Sequence, residues 1–206
     1  MTILRKAKFI LGVHDLKGLP PIGLPEIAFA GRSNAGKSSA LNQITDQHKL
    51  AFTSKTPGRT QQINYFEVVP YGFLVDLPGY GYAKVPIDMR NHWNRVLGQY
   101  MAQRQTLAGL ILIMDARHPL KELDIQLLDY WLPSNRPVHV LLSKADKLSR
   151  QEGNKTLFQV KKILNDYPLP CSVQLFSSLK KKGIEEARNV IETWLGVSTA
   201  ENILSL

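Results

Sequence analysis

The chain has 206 residues, with 26 lysines and arginines against 17 acidic residues for a formal charge of +9, and 44% of its residues are hydrophobic. That composition excludes a disordered polyelectrolyte, and the length supports one domain with a full core but not two ordinary ones. The excess of cations points to a polyanionic partner, either nucleic acid or an anionic membrane face.

The chain opens with Arg5, Lys6 and Lys8 ahead of an apolar patch over 9–13. The patch is too short for a signal-peptide core, and Asp15 and Lys17 follow it at once. Residues 1–24 end in a Pro/Gly cluster and read as a lead-in arm to a domain over 25–196, with 197–206 as a tail. No apolar run approaches the roughly 20 residues of a membrane span. The single cysteine, Cys171, cannot close an internal disulfide. Together these predict a cytoplasmic chain with no membrane anchor and no disulfide partner.

The first apolar run, 26–30, leads straight into Gly31, Arg32, Ser33, Asn34, Ala35, Gly36, Lys37 and Ser38, and a helical stretch over 39–44 follows. This is G-x-x-x-x-G-K-[ST] between a strand and a helix, the context a phosphate loop requires. The glycines let backbone N–H groups wrap phosphates, and the helix N-terminus adds a favourable dipole. Lys37 supplies a cation to the β- and γ-phosphates, and Ser38 a hard oxygen for Mg2+. Next comes a polar, Gly/Pro-rich segment over 54–60. It carries Gly58, Arg59 and Thr60, with Gln61 and Gln62 leading into the run 63–69. Such a loop suits a threonine that reaches Mg2+ only with triphosphate bound. Thr60, lying just before the strand, is favoured over Thr56.

The run 72–75 ends at Asp76, followed by Leu77, Pro78 and Gly79. A carboxylate there can hold Mg2+ through its water, and the Gly79 N–H can sense the γ-phosphate. Met89, Trp93, Val96, Leu97 and Tyr100 recur at helical spacing, ahead of a run over 109–114. Leu123, Leu127 and Trp131 mark a further helix, ahead of a run over 137–142. That run gives way to Ser143, Lys144, Ala145 and Asp146. The Asp146 carboxylate can accept from guanine N1–H and the 2-amino group, a donor pair that adenine lacks, while the Lys144 stem lies across the base. A last run over 172–176 ends at Phe176, Ser177 and Ser178, whose backbone can meet the guanine oxygen, and Ile184, Ala187, Ile191 and Trp194 trace a final helix. Alternating strands and helices predict an α/β layer fold on a mostly parallel sheet, with ligands at the carboxyl ends of the strands. Cys171 and the helical aromatics read as core.

These strings, extended by Asp76-Leu-Pro-Gly-Tyr-Gly-Tyr82, Asp115-Ala-Arg-His-Pro-Leu120 and Phe176-Ser-Ser-Leu-Lys-Lys181, resemble the EngB family of translation-factor-related GTPases over residues 20 to 196. The resemblance implies a three-layer Ras-like fold with a six-stranded sheet and helices on both faces. It also implies weak GTP hydrolysis with Mg2+, a part in assembling the large ribosomal subunit, and a need in cell division and septation. Ser143 departs from the Asn or Thr usual in GTPases, and its shorter hydroxyl is expected to brace the phosphate loop less firmly. Tyr80 stands where many such enzymes carry a water-orienting glutamine, so hydrolysis is expected to be slow. Asn34 occupies the position where related enzymes bind an activating K+. Lys37, Thr60, Gly79 and Asn34 are then the groups nearest the chemistry, with Ser38 and Thr60 on the metal.

Basic residues flank the mobile loop (Lys49, Lys55, Arg59) and follow the last strand (Lys180, Lys181, Lys182), which favours ribosomal RNA and large-subunit particles as partners. A nucleotide-ordered scaffold acting directly in division is the alternative. A metabolic kinase on the same loop is disfavoured by Asp146.

Overall fold

The structure, a computed structural model, describes residues 2–51, 62–81 and 87–197, with residues 87–94 described by backbone alone. One sheet runs through the molecule in the order β1-β3-β4-β2-β5-β6-β7. Its strands are β1 (Lys8–Val13), β2 (Glu26–Gly31), β3 (Ile63–Val68), β4 (Gly72–Asp76), β5 (Leu107–Asp115), β6 (Val138–Ser143) and β7 (Cys171–Leu175). The pairs β2–β4, β2–β5, β5–β6 and β6–β7 are parallel, whereas β1–β3 and β3–β4 are antiparallel. The expectation of six strands is corrected to seven. The extra strand, β1, comes from the stretch read as an arm, where Val13 pairs with Ile63 and Lys8 with Glu67.

The central strands are covered on both sides, and so they read as unbroken apolar runs. Alternation within each strand divides the core in two. Ala28, Ala30, Leu110, Leu112 and Met114 face α2 (Ile87–Gln103), α3 (Glu122–Trp131) and α4 (Arg150–Asn165). Ile27, Phe29, Ile111 and Ile113 face α1 (Lys37–Ile44) and α5 (Ile184–Trp194). Gly109 lets α5 approach, since a Cβ there would stand 2.3 Å from the Trp194 ring. The helix α4, absent from the elements expected, starts at a capping box. Ser149 Oγ accepts from the Glu152 N–H at 3.2 Å, and Glu152 Oε2 accepts from the Ser149 N–H at 2.8 Å.

At the amino end of β2, fully buried Glu26 gathers five donors. Tyr65 and Tyr100 hydroxyls reach Oε2 at 3.0 and 2.7 Å, and Thr106 and two nitrogens of Arg104 reach Oε1 at 2.5–2.8 Å. Arg104 also donates to the Pro20 carbonyl at 2.8 Å, tying down the chain before β2. This network lies at the opposite end of the sheet from the phosphate-loop sequence, which leaves β2 at its carboxyl end.

Candidate functional site at the carboxyl ends of the strands

After Gly31 the chain turns through Asn34 (φ 62°) and Gly36 (φ 98°) into α1. Both angles lie in the left-handed region, which Gly36 adopts without strain and Asn34 tolerates better than most residues. Gly36 caps α1 and offers no side-chain acceptor to the first-turn N–H groups. The first-turn N–H groups and the positive end of the helix dipole thus face the loop without a side-chain cap, an arrangement that favours an anion there. Lys37, the first residue of α1, turns its ammonium onto the Asp76 carboxylate at the end of β4. Ser38 follows it, half-buried.

Beyond Asp76, the Leu77 N–H donates to Phe29 O at 2.9 Å and leads through Pro78 and Gly79 to Tyr80. Here backbone joins the two loops, with Tyr80 O accepting from the Ser33 N–H at 2.8 Å. The Tyr80 hydroxyl donates to Asp124 Oδ1 at 2.7 Å, and Asp124 Oδ2 lies 3.5 Å from Arg32 Nε. Burial and the charge of Asp124 push the Tyr80 phenol well above its ordinary range. Burial likewise raises the Asp124 carboxyl, against the pull of its hydrogen bonds.

On the other side of the phosphate loop, Ser143 ends β6 in register with Asp115 at the end of β5. Its hydroxyl lies 2.5 Å from Ala35 O and 3.1 Å from Met114 O, so the short side chain does reach the phosphate loop. Lys144 takes a left-handed backbone (φ 56°), with Nζ 2.6 Å from Asn34 O and 3.0 Å from Asp115 Oδ2. Arg117 clamps the same carboxylate through Nε at 2.9 Å and Nη2 at 2.7 Å. Hydrogen bonds from Arg117 hold Asp115 well below the usual carboxylate range, with Lys144 adding to the effect. Asp146 Oδ1 accepts from Ser177 Oγ at 2.5 Å, and the Ala145 N–H donates to Phe176 O at 3.1 Å. Phe176 itself is buried, and Ser178 is half-buried beside it.

The phosphate loop, the Asp76 loop, residues 143–146 and residues 176–178 therefore meet at one end of the sheet. Gln62 instead bonds the His14 ring at 2.7 Å. Gly58, Arg59, Thr60 and Gln61, like Lys55 and Thr56, lie outside the described residues. The motif reading assigned no role to Asp115, Arg117 or Asp124. An acidic residue closing an apolar strand was signal enough for Asp115, as it had been for Asp76. Asp124 meets Arg32 and Tyr80 only through the fold.

A family model described as "50S ribosome-binding GTPase" matches residues 26–144. The chain is similar to the "Probable GTP-binding protein EngB" of Neisseria meningitidis serogroup B strain MC58, at 58% identity over 202 residues, covering 97% of this chain and 96% of that protein. A protein of the same description from Ralstonia pickettii strain 12J is 51% identical over 207 residues, covering 95% and 89%. Among solved structures, a "probable GTP-binding protein engB" superposes with a TM-score of 0.67 at 19% identity, covering 84% of this chain and 100% of that one. Era in complex with MgGDPNP and a 16S ribosomal RNA segment superposes at 0.64 with 20% identity, covering 84% and 57%. At these identities the structures speak for the fold, which is Ras-like.

Proposed function

The chain belongs to the EngB family of GTP-binding proteins, which are GTPases, and from that premise we propose that it is a slow GTP-driven switch in the cytoplasm. It acts in assembly of the large ribosomal subunit and is thereby needed for normal cell division and septation. The match to a model described as a 50S ribosome-binding GTPase carries this reading, and the net charge of +9 agrees with an RNA partner.

The phosphate loop, residues 31–38, cradles the phosphates. Asp146 reads the guanine edge, with Ser177 positioning it, and Lys144 lies along the base. Backbone groups of Ala145, Phe176 and Ser178 complete that side of the pocket. Ser38 and Asp76 form a hard-oxygen donor set that suits Mg2+, with Thr60 joining when triphosphate is present. When bound, Mg2+ neutralises charge on the β- and γ-phosphate oxygens. Lys37 moves from Asp76 to the phosphates, and Gly79 reports the γ-phosphate.

Tyr80 makes hydrolysis slow. Its hydroxyl proton is committed to Asp124, and a phenol pushed upward by burial is no base at neutral pH. Asn34 would hold a K+ ion, whose charge would stand where an arginine finger otherwise does and so offset this deficit.

Sedimentation of purified large-subunit particles with GDP or a non-hydrolysable GTP analogue tests the reading, alongside phosphate release in KCl and NaCl. The expected outcome is co-sedimentation favoured about 5- to 150-fold by the analogue, with faster hydrolysis in KCl. Equal failure to sediment in both nucleotide states overturns the ribosomal role and leaves the division scaffold. Equal rates in the two salts remove the K+ ion.

A further inference from the structure

Helix α4 packs on β7 and turns Gly153, Val160 and Leu164 inward. Its opposite face carries Lys155, Phe158 and Lys162, spaced three and four residues apart and so neighbours in one stripe. Phe158 is 71% exposed, as is Leu179 in the loop after β7. Both stand among lysines: Lys155, Lys161 and Lys162 around the first, Lys180 to Lys182 beside the second. Among the described residues none of these lysines forms an ion pair. The acids nearest in sequence to the helix lysines are Glu152, engaged in capping Ser149, and Asp166, exposed at the carboxyl end of the helix four residues past Lys162, and neither forms an ion pair with these lysines. The loop that carries Leu179 and the amino end of α4 both lie at the nucleotide end of the molecule. Ser177, two residues before Leu179, bonds Asp146, and Asp146 lies four residues ahead of α4.

An exposed aromatic ring with a cation one turn away on each side matches a nucleic-acid strand, whose bases offer π-faces and whose phosphates flank them. A membrane-lying helix would instead present a continuous apolar face. Here Phe158 is the lone large apolar side chain of its stripe, and exposed Ile163 lies roughly 140° around the helix from it. We propose that the outer face of α4 binds single-stranded RNA. Phe158 stacks on an unpaired base, Lys155 and Lys162 hold the adjoining phosphates, and the loop 179–182 continues the track toward the nucleotide site. The proposal rests on the reading of ribosomal RNA as partner and says where on the chain that RNA lies.

The test uses the full chain loaded with a non-hydrolysable GTP analogue. Fluorescence anisotropy follows a labelled oligouridine strand and a fully paired RNA hairpin against KCl. Phe158→Ala is expected to weaken oligouridine about 5- to 150-fold and the hairpin hardly at all, while Phe158→Trp retains binding. The double reversal Lys155→Glu with Lys162→Glu should flatten the log–log salt slope by about 1.4. GDP affinity, unchanged in all three, certifies the fold. Wild-type strength in Phe158→Ala overturns the proposal, as does a Trp variant as weak as the Ala variant. Tighter binding to phosphatidylglycerol vesicles than to RNA overturns it in favour of a membrane. If the variants fail on oligouridine-type contacts yet sediment with large-subunit particles like the wild type, α4 is not the docking face and the ribosomal reading stands. If the wild type binds neither RNA nor particles, both fall.

Discussion

Asp146, assigned above to the guanine edge, is held by the Ser177 hydroxyl 2.5 Å away, and Ser177 in turn accepts the Lys180 N–H at 3.0 Å. The carboxylate is therefore oriented before any base arrives. Replacing it with asparagine trades an acceptor for a donor at the position that would face the guanine 2-amino group. Hydrogen bonds to a charged group contribute about 1.5–3 kcal/mol. Asp146→Asn should thus lose roughly 10- to 150-fold in GDP affinity and gain xanthosine diphosphate, whose 2-oxo group accepts from the new amide. Competition binding of the two nucleotides checks this, and a variant that still prefers GDP removes Asp146 from base selection. Asp146, Ser143 and Asp76 were legible in the sequence because each closes or follows an apolar run, where parallel sheets place their chemistry. The clamp of Arg117 and Lys144 on Asp115 was not read, because no motif spacing announces a carboxylate serving two cations from different loops. Nor was the contact of Asp124 with Arg32, which are brought together across the sheet with no local signal.

Among the elements, the six runs read from the sequence all form strands: β2, β5 and β6 are buried on both faces and so uninterrupted, whereas β3 and the edge strand β7 keep their apolar character with partly exposed residues between. The two elements that escaped did so for opposite reasons. In β1 the apolar patch over 9–13 is present in the sequence, but it lies at the sheet edge with Lys8, Phe9 and Ile10 exposed, and nothing local marks its antiparallel pairing with β3 some fifty residues on. In α4, only Gly153, Val160 and Leu164 are buried in a helix of 16 residues, too sparse an apolar stripe to register, although the Ser149–Glu152 box marks its start. Glu26 shows a third limit. In the sequence it is one residue of an apolar run, and its burial at the junction of β2, β3 and α2 has no sign there, because the partners that bury it are Tyr65, Tyr100, Arg104 and Thr106. Glu26→Gln leaves the Arg104 guanidinium, whose side chain is only 8% exposed, without its counter-charge. Breaking a buried pair from one side costs about 3–5 kcal/mol, and in a chain of this size each kcal/mol lowers Tm by roughly 2–4 °C. Thermal unfolding of the variant should show that drop. An unchanged Tm would mean that the tyrosine hydroxyls and Thr106, not the ion pair, hold this corner.

For the molecule as a whole, the N-terminal segment acts as a strap around one edge. Its first turn, Ile3–Lys6, is anchored at both sides: the Thr2 hydroxyl and Ile3 N–H donate to Glu192 of α5 at 2.6 and 3.1 Å, and Arg5 pairs with Asp46 just beyond α1 at 2.9 Å. Leu4, fully buried, plugs the core beneath α1 and α5, and β1 then covers the flank of β3. The strap thus joins the same two helices that sheath one face of the sheet. Leu4→Ala should cost about 2–5 kcal/mol through lost burial and the cavity left behind. The strap meets α1 at its carboxyl end, whereas the phosphate loop meets its amino end, and eight residues of helix separate the two by about 12 Å. Nucleotide binding should therefore be untouched. GDP at a hundredfold over Kd adds about 2.7 kcal/mol to any folded state that binds it, so wild type and variant should gain the same increment from it. Unfolding curves with and without saturating GDP measure both quantities at once. A variant that loses stability but keeps the increment places the strap in the fold alone; a shrunken increment would mean that the strap reaches the phosphate loop through α1.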